Sequence, residues 1–139
     1  LYNNNSGALT FASPTGVAET IGQNGVASYL HTGGDIYNHI YAPRTMTGYN
    51  IISFRWVNGR PELYINGEFI AYSTQTYGAL VRDYNLGGGA YGQFNGYVAF
   101  HQIVDEYMHI NELQRLEGWI AKKFGISSKL ADNHKFKWV

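Results

Sequence analysis

Two hydrophobic periods meet between residues 95 and 125, in NGYVAFHQIVDEYMHINELQRLEGWIAKKFG. From 97 to 104, Val98, Phe100, Gln102 and Val104 alternate with Tyr97, Ala99, His101 and Ile103, and both sets are largely apolar. That pattern predicts a strand covered on both faces, and so one inside a sheet. Beyond Asp105 and Glu106 the period changes, with Leu113, Leu116, Ile120 and Phe124 recurring at three- and four-residue spacing. At about 100° per residue they draw one apolar stripe, which predicts an α-helix over 111–124 with Glu112, Arg115, Glu117 and Lys122 turned mainly to water. Asn111 is the expected N-cap, with Gln114 three residues on. Lys122 and Lys123 suit the negative C-terminal end, and Gly125 suits the left-handed position that closes a helix.

Elsewhere the period is two. Residues 8–12 predict a short strand ended by SPTG, since Pro14 cannot donate to a ladder and Gly16 permits a turn. After the turn signal at Gln23, Asn24 and Gly25, residues 26–32 predict a second strand. The turn at 32–35 leads into IYNHIYA, where Ile36, Asn38 and Ile40 alternate with Tyr37, His39 and Tyr41. In 50–57, Ile52, Phe54 and Trp56 share one face and Ser53 and Arg55 the other, the mark of a half-buried strand. Asn58 with Gly59 and Asn66 with Gly67 then separate alternating runs, the strongest short hairpin signal, so three consecutive antiparallel strands are expected between 50 and 72. A further short strand is expected within 77–84, before the glycine-rich loop 86–96, and SSKLADNHKFKWV after the helix reads as a tail laid on the domain. No fixed-period repeat and no low-complexity tract is present.

Composition sharpens the class. Seventeen glycines, 12 tyrosines and many asparagines beside one convincing helix describe an all-β domain rich in turns, a sandwich or jelly roll. The 139 residues suit one domain. Ten basic against ten acidic residues leave no net charge and no run of either sign to gather phosphates, so nucleic acid is not an expected partner. No apolar run approaches the roughly 20 residues of a membrane helix, and membrane insertion is not expected. The absence of cysteine excludes disulfides and cysteine-ligated zinc. Leu1 begins in mid-phrase, which points to a processed or incomplete N-terminus.

RWVNGRPELYINGEFIAY, then LGGGAYGQFNGYVAFHQIV, then a helix ending LEGWIAKKFGI, then LADNHKFK, resembles the C-terminal two-thirds of the laminin-G-like, concanavalin-A-like sandwich domains. More narrowly it resembles a bacterial and bacteriophage subgroup whose last sheet strand runs into a helix with a Glu-Gly-aromatic signature and a short tail. Glu117, Gly118, Trp119, Ile120, Ala121, Lys123, Phe124, Gly125, Leu130 and His134 stand at the signature positions, and the likeness spans about 50–137. Phe100 stands where the subgroup usually has an acid, and His109 where it has a Ser or Thr cap. The resemblance implies an antiparallel β-sandwich, a concanavalin-like jelly roll with one C-terminal helix, filling 1–139 as a single domain that lacks some N-terminal strands. In such a sandwich the helix would plug an open end, with Trp119 or Ile120 reaching into the gap.

The wider group includes hydrolases with two carboxylates on one strand face, and this chain has no such pair. Asp105 and Glu106 are neighbours, which a strand would point to opposite faces, so they read as solvated turn acids. The histidines at 31, 39, 101, 109 and 134 form no His-x-x-x-His pair, and no Gly-x-Ser-x-Gly elbow is present. His134 is expected to dock the tail, and no enzyme is expected. No cofactor is called for, although the resemblance leaves calcium open, with Asp35 and Asp83 as loop acids. The candidate ligand surface is aromatic: Tyr37, Asn38, His39 and Tyr41, joined across the sheet by Arg55 and Tyr64, offer rings for sugar C–H faces and polar groups for hydroxyls. The competing reading makes those tyrosines a second buried face or a subunit contact. Three functions follow: a carbohydrate-binding or adhesion module, a structural decoration protein of a virus particle, and, weakest, a glycosidase. The first two combine as a phage appendage at a virion surface or otherwise extracellular, with a cell-surface glycan, other virion proteins and further copies of itself as partners.

Overall fold

The computed structural model describes residues 47–72, 97–104 and 106–138, Pro61 by its backbone alone, and the backbone of four strands nearer the N-terminus. Those strands, β1 (Leu9–Ala12), β2 (Val17–Gly22), β3 (Gly25–Thr32) and β4 (Asp35–Ala42), form an antiparallel sheet in chain order. Three of them lie where alternation predicts a strand. β2 is additional: Ala18, Glu19 and Gly22 are weak strand formers, and it is its place in the ladder, from Val17 opposite Leu30 to Gly22 opposite Gly25, that makes it one. The β3–β4 pairing steps between Ser28 and Tyr29, leaving His39 as the extra residue. Tyr37 then lies across from Leu30 and Tyr41 across from Ala27, so strict alternation does not run unbroken between them.

The second sheet is the expected pair of hairpins, β5 (Ile52–Val57), β6 (Arg60–Ile65) and β7 (Glu68–Tyr72). Asn58 and Asn66 take φ of 51° and 52°, and Gly59 and Gly67 take 75° and 76°, the pair of left-handed positions that a type I′ turn requires. This tight turn fixes the register, setting Arg55 opposite Glu62 and Ser53 opposite Tyr64. The Asn66–Gly67 turn places Phe69 opposite Tyr64, and a bulge between Leu63 and Tyr64 in the β6–β7 ladder then places Tyr72 opposite Glu62. One face therefore carries Ser53, Arg55, Arg60, Glu62, Tyr64, Phe69 and Tyr72. The other carries Phe54 and the fully buried Leu63 and Ile65.

Helix α1 spans Ile110–Lys123. Its N-cap is His109, two residues before the expected Asn111. The Asn111 N–H donates to His109 Nδ1 at 3.2 Å, and the His109 N–H donates to Glu112 Oε2 at 2.8 Å, a capping box with an imidazole in place of a hydroxyl. At the other end Gly125, φ 68°, closes the helix as expected. The Gly125 N–H reaches Lys122 O and the Ile126 N–H reaches Ala121 O, the paired bonds of a Schellman turn. A 3-10 turn, Ser127–Lys129, leads to the tail.

The buried face of α1 is Leu113, Glu117, Gly118 and Ala121, rotated from the expected stripe, with Leu116, Ile120 and Phe124 half-buried at its side. Ala121 packs with Ile51 and Leu130, flanked by Ile120 and Ile126. One assignment is thus corrected: Glu117 is buried, because hydrogen-bonding groups of β5 and the tail meet it. Of Trp119 and Ile120, the two alternatives for reaching into a gap, Ile120 packs against the Ile51, Ala121 and Leu130 cluster, while Trp119 is 49% exposed, lying edge-on to Phe100 with Lys123 over its ring.

Residues 97–104, expected as a sheet strand, carry no ladder among the described residues, and Val98, Ile103 and Val104 are exposed. Two-sided apolar alternation specifies a strand only together with a neighbour to pair with. The chain divides into two compact units, Leu1–Met46 with Ser73–Tyr97, and Thr47–Tyr72 with Val98–Val139. Expectations for 77–84, for the 86–96 loop and for Asp83 and Asp105 fall outside the described residues.

Candidate functional site

Arg55 and Tyr64, two of the six residues that sequence singles out, do come together, and a third residue joins them. Arg55 Nε and Nη2 donate to Glu62 Oε2 at 3.0 and 2.7 Å, and the Tyr64 hydroxyl donates to the same oxygen at 2.8 Å. Burial pushes the Tyr64 hydroxyl up to about 12, reinforced by its bond to Glu62. For Arg55, burial pulls the guanidinium down, but the bond to Glu62 and the neighbouring acidic groups outweigh it and raise it above the ordinary value. Around physiological pH the cluster is a fixed ion pair with a phenol donor beside it.

Aromatic rings surround this cluster. Phe69 meets Tyr64 edge-on with centroids 5.5 Å apart and stacks on Tyr72 at 6.3 Å, while Arg60 lies over the Tyr72 ring. Tyr107, from the segment leading into α1, stands 5.9 Å from the Arg55 guanidinium, whose Nη1 donates to Met108 O. Phe69 is 48% exposed, Tyr72 56% and Tyr107 62%, whereas Tyr64 is buried beneath. The face thus has a polar floor and exposed aromatic edges.

Tyr37, Asn38, His39 and Tyr41 are all in β4, in the four-stranded sheet, whereas Arg55 and Tyr64 are in the three-stranded one. The side chains of the first four lie outside the described residues. Sequence reasoning missed Glu62, Phe69, Tyr72 and Tyr107. Glu62 was legible, since a two-residue turn at 58–59 sets residue 62 across from 55. Phe69 was legible in the same way, since the turn at 66–67 sets it across from Tyr64, whereas Tyr72 joins the face only through the bulge, which no residue pattern announces.

A second polar cluster lies under the tail. Ser53 Oγ donates to Glu117 Oε1 at 2.7 Å, and Glu117 Oε2 is 3.3 Å from His134 Nε2, with Glu117 1% and His134 5% exposed. Burial raises the Glu117 carboxyl to about 7, against the bond from Ser53, which lowers it. Burial, and then the Lys137 ammonium, lower the His134 imidazole. The order is Ser–Glu–His, with the hydroxyl on the carboxylate and not on the imidazole, so this is not the arrangement of a base-activated nucleophile. Its geometry is that of a fastener: His134 docks the tail, as expected, against both α1 and the Gly67 turn. No group of three or more His, Asp or Glu side chains among the described residues has the spacing to hold a metal ion.

No protein-family model matches the chain, and no curated protein or solved structure matches it significantly.

Proposed function

We propose that this chain is a non-catalytic carbohydrate-binding or adhesion module, a laminin-G-like sandwich at the surface of a bacteriophage particle or another extracellular structure. The observation that carries the reading is the sheet face on which exposed Phe69, Tyr72 and Tyr107 surround the Arg55–Glu62–Tyr64 cluster. Sugars present apolar C–H faces beside hydroxyls, and aromatic edges around a rigid polar floor complement both. Binding without catalysis is the better match to this face: Glu62 is engaged by Arg55 and Tyr64, whereas glycoside hydrolysis needs two carboxylates facing the scissile bond. Tyr37, Asn38, His39 and Tyr41 remain a second candidate row on β4.

The second reading, a virion decoration protein making protein contacts, is favoured by the row Arg60–Tyr72–Phe69, in which the Tyr72 ring is already engaged by its neighbours. A glycan-array screen of the intact chain, with and without calcium, separates the two. The expected outcome is saturable binding that Tyr72→Ala or Tyr107→Ala weakens by about tenfold, the worth of one stacked ring, at an unchanged melting temperature. The Tyr37→Ala, Tyr41→Ala double variant tests the β4 row in the same way. Absence of any hit, together with stable self-assembly or capture by virion proteins, would establish the decoration reading instead.

A further inference from the structure

The tail is pinned at its base. Leu130 is buried with Ile51 and Ala121, and Lys129 Nζ donates to Thr47 O and Tyr49 O at 2.6 and 2.7 Å. Beyond that point the His134 imidazole is its most deeply buried attachment, beside a Lys135 Nζ bond to Asn111 Oδ1 at 2.6 Å and the Arg115 guanidinium over the Phe136 ring. The Ala131 N–H donates to Asn66 O, the His134 ring lies against Gly67, Phe136 lies against Gly118, and His134 Nε2 meets Glu117 Oε2.

The two nitrogens of that ring are committed unequally. The Phe136 N–H donates to Nδ1 at 3.3 Å, so Nδ1 is an acceptor and the ring proton sits on Nε2, aimed at Glu117. Glu117 tolerates either protonation state in this setting. As a carboxylate it accepts from Ser53 and His134, and as an acid its Oε1–H donates to Ser53 Oγ while Oε2 still accepts from the imidazole. A second proton on His134 has no such accommodation. It must go to Nδ1, where it faces the Phe136 N–H donor head-on in a buried position. The charged groups around the ring are Glu117 from α1 and Lys137 from the tail, the latter paired with Asp132 at 2.7 Å. β5 contributes the neutral Ser53 hydroxyl, and the β6–β7 turn contributes Asn66, Gly67 and the exposed Glu68 at its rim. Once Glu117 is protonated, the added positive charge faces Lys137 without the Glu117 carboxylate to balance it.

We propose that the C-terminal stretch 131–138 is an acid-released latch, with His134 as its sensor and protonation of Nδ1 as the trigger. Opening uncovers Glu117 and Gly118 on α1 and the Gly67 turn while Leu130 stays seated against Ala121. The lowered proton affinity of His134 fits this role, because the closed latch holds the imidazole neutral.

Hydrogen exchange of the intact chain, read residue by residue and corrected for intrinsic rates, tests it. Between about pH 7 and about pH 4 the Ala131, Phe136 and Lys137 amides are expected to lose protection by at least about tenfold, while Leu63 and Ile65 keep theirs. Glu117→Gln, which mimics the protonated acid, should retain this acid opening, and His134→Gln should abolish its pH dependence. Should His134→Gln not fold, the wild-type imidazole resonance must titrate at the midpoint of tail opening. Concerted loss of protection in the sheet, a tail already unprotected at about pH 7, or acid opening lost in Glu117→Gln would each overturn the proposal.

Discussion

Two glycines show how differently the same backbone conformation is used. Gly67 and Gly125 both have positive φ, 76° and 68°, so a side chain at either is strained by about 1–2 kcal/mol. A Cβ on Gly125 meets nothing within 4 Å, whereas one on Gly67 runs into the His134 ring. Gly125→Ala should therefore cost about 1–2 kcal/mol and Gly67→Ala roughly 2–4 kcal/mol, strain plus overpacking, as read from urea midpoints. Equal losses would mean that the tail does not press on the turn. Gly118 extends the point within a helix. Alanine is ordinarily better there by about 1 kcal/mol, but its Cβ would stand 2.5 Å from Phe136 Cβ, so Gly118→Ala should destabilise. Both turn glycines were legible, because an Asn-Gly pair and a helix end demand positive φ locally. The burial of Glu117 was not: its partners come from residues 53 and 134, and helical periodicity assigns a carboxylate to the wet side unless something distant meets it.

At the scale of elements, local rules succeeded where the deciding contacts are local. The β5–β6–β7 meander follows from its two turns, and the helix from its apolar spacing and closing glycine. The start of the helix shifted because a cap is chosen by hydrogen-bond geometry: His109 supplies an acceptor and Glu112 answers it, an exchange hidden in a residue type seldom read as a cap. His109→Ala should accordingly cost about 1 kcal/mol, and His109→Ser, which restores a hydroxyl, should recover most of it in thermal unfolding. If alanine proves neutral, the helix does not depend on this box. The segment 97–104 marks the limit of such reading, since its pattern is that of a strand while a strand exists only by its partner. β2 is the converse, a weak pattern made a strand by its neighbours on both sides.

For the whole molecule, the fastener under the tail sets how stability responds to pH. Glu117 is raised from an ordinary 4.5 to about 7, so the chain takes up a proton there on folding. Its contribution is complete below about 4.5 and is lost as pH rises to about 7. His134 is lowered from 6.5, so a proton is released there on folding, and the cost of that release grows as pH falls below 6.5. Between about 4.5 and 6.5 the two changes oppose each other, because folding in effect moves one proton from imidazole to carboxyl. The wild-type chain should then respond to pH more weakly across that interval than either single variant does. Glu117→Gln removes the carboxyl's slope and should leave stability climbing with pH up to about 6.5. His134→Gln removes the imidazole's slope, so stability should decline by up to about 3 kcal/mol between about 4.5 and 7. Denaturant titrations of the three proteins across this range give the slopes directly. Parallel profiles would mean that other groups govern the acid limb, whereas opposite slopes in the two variants assign it to one proton shared across the helix and the tail.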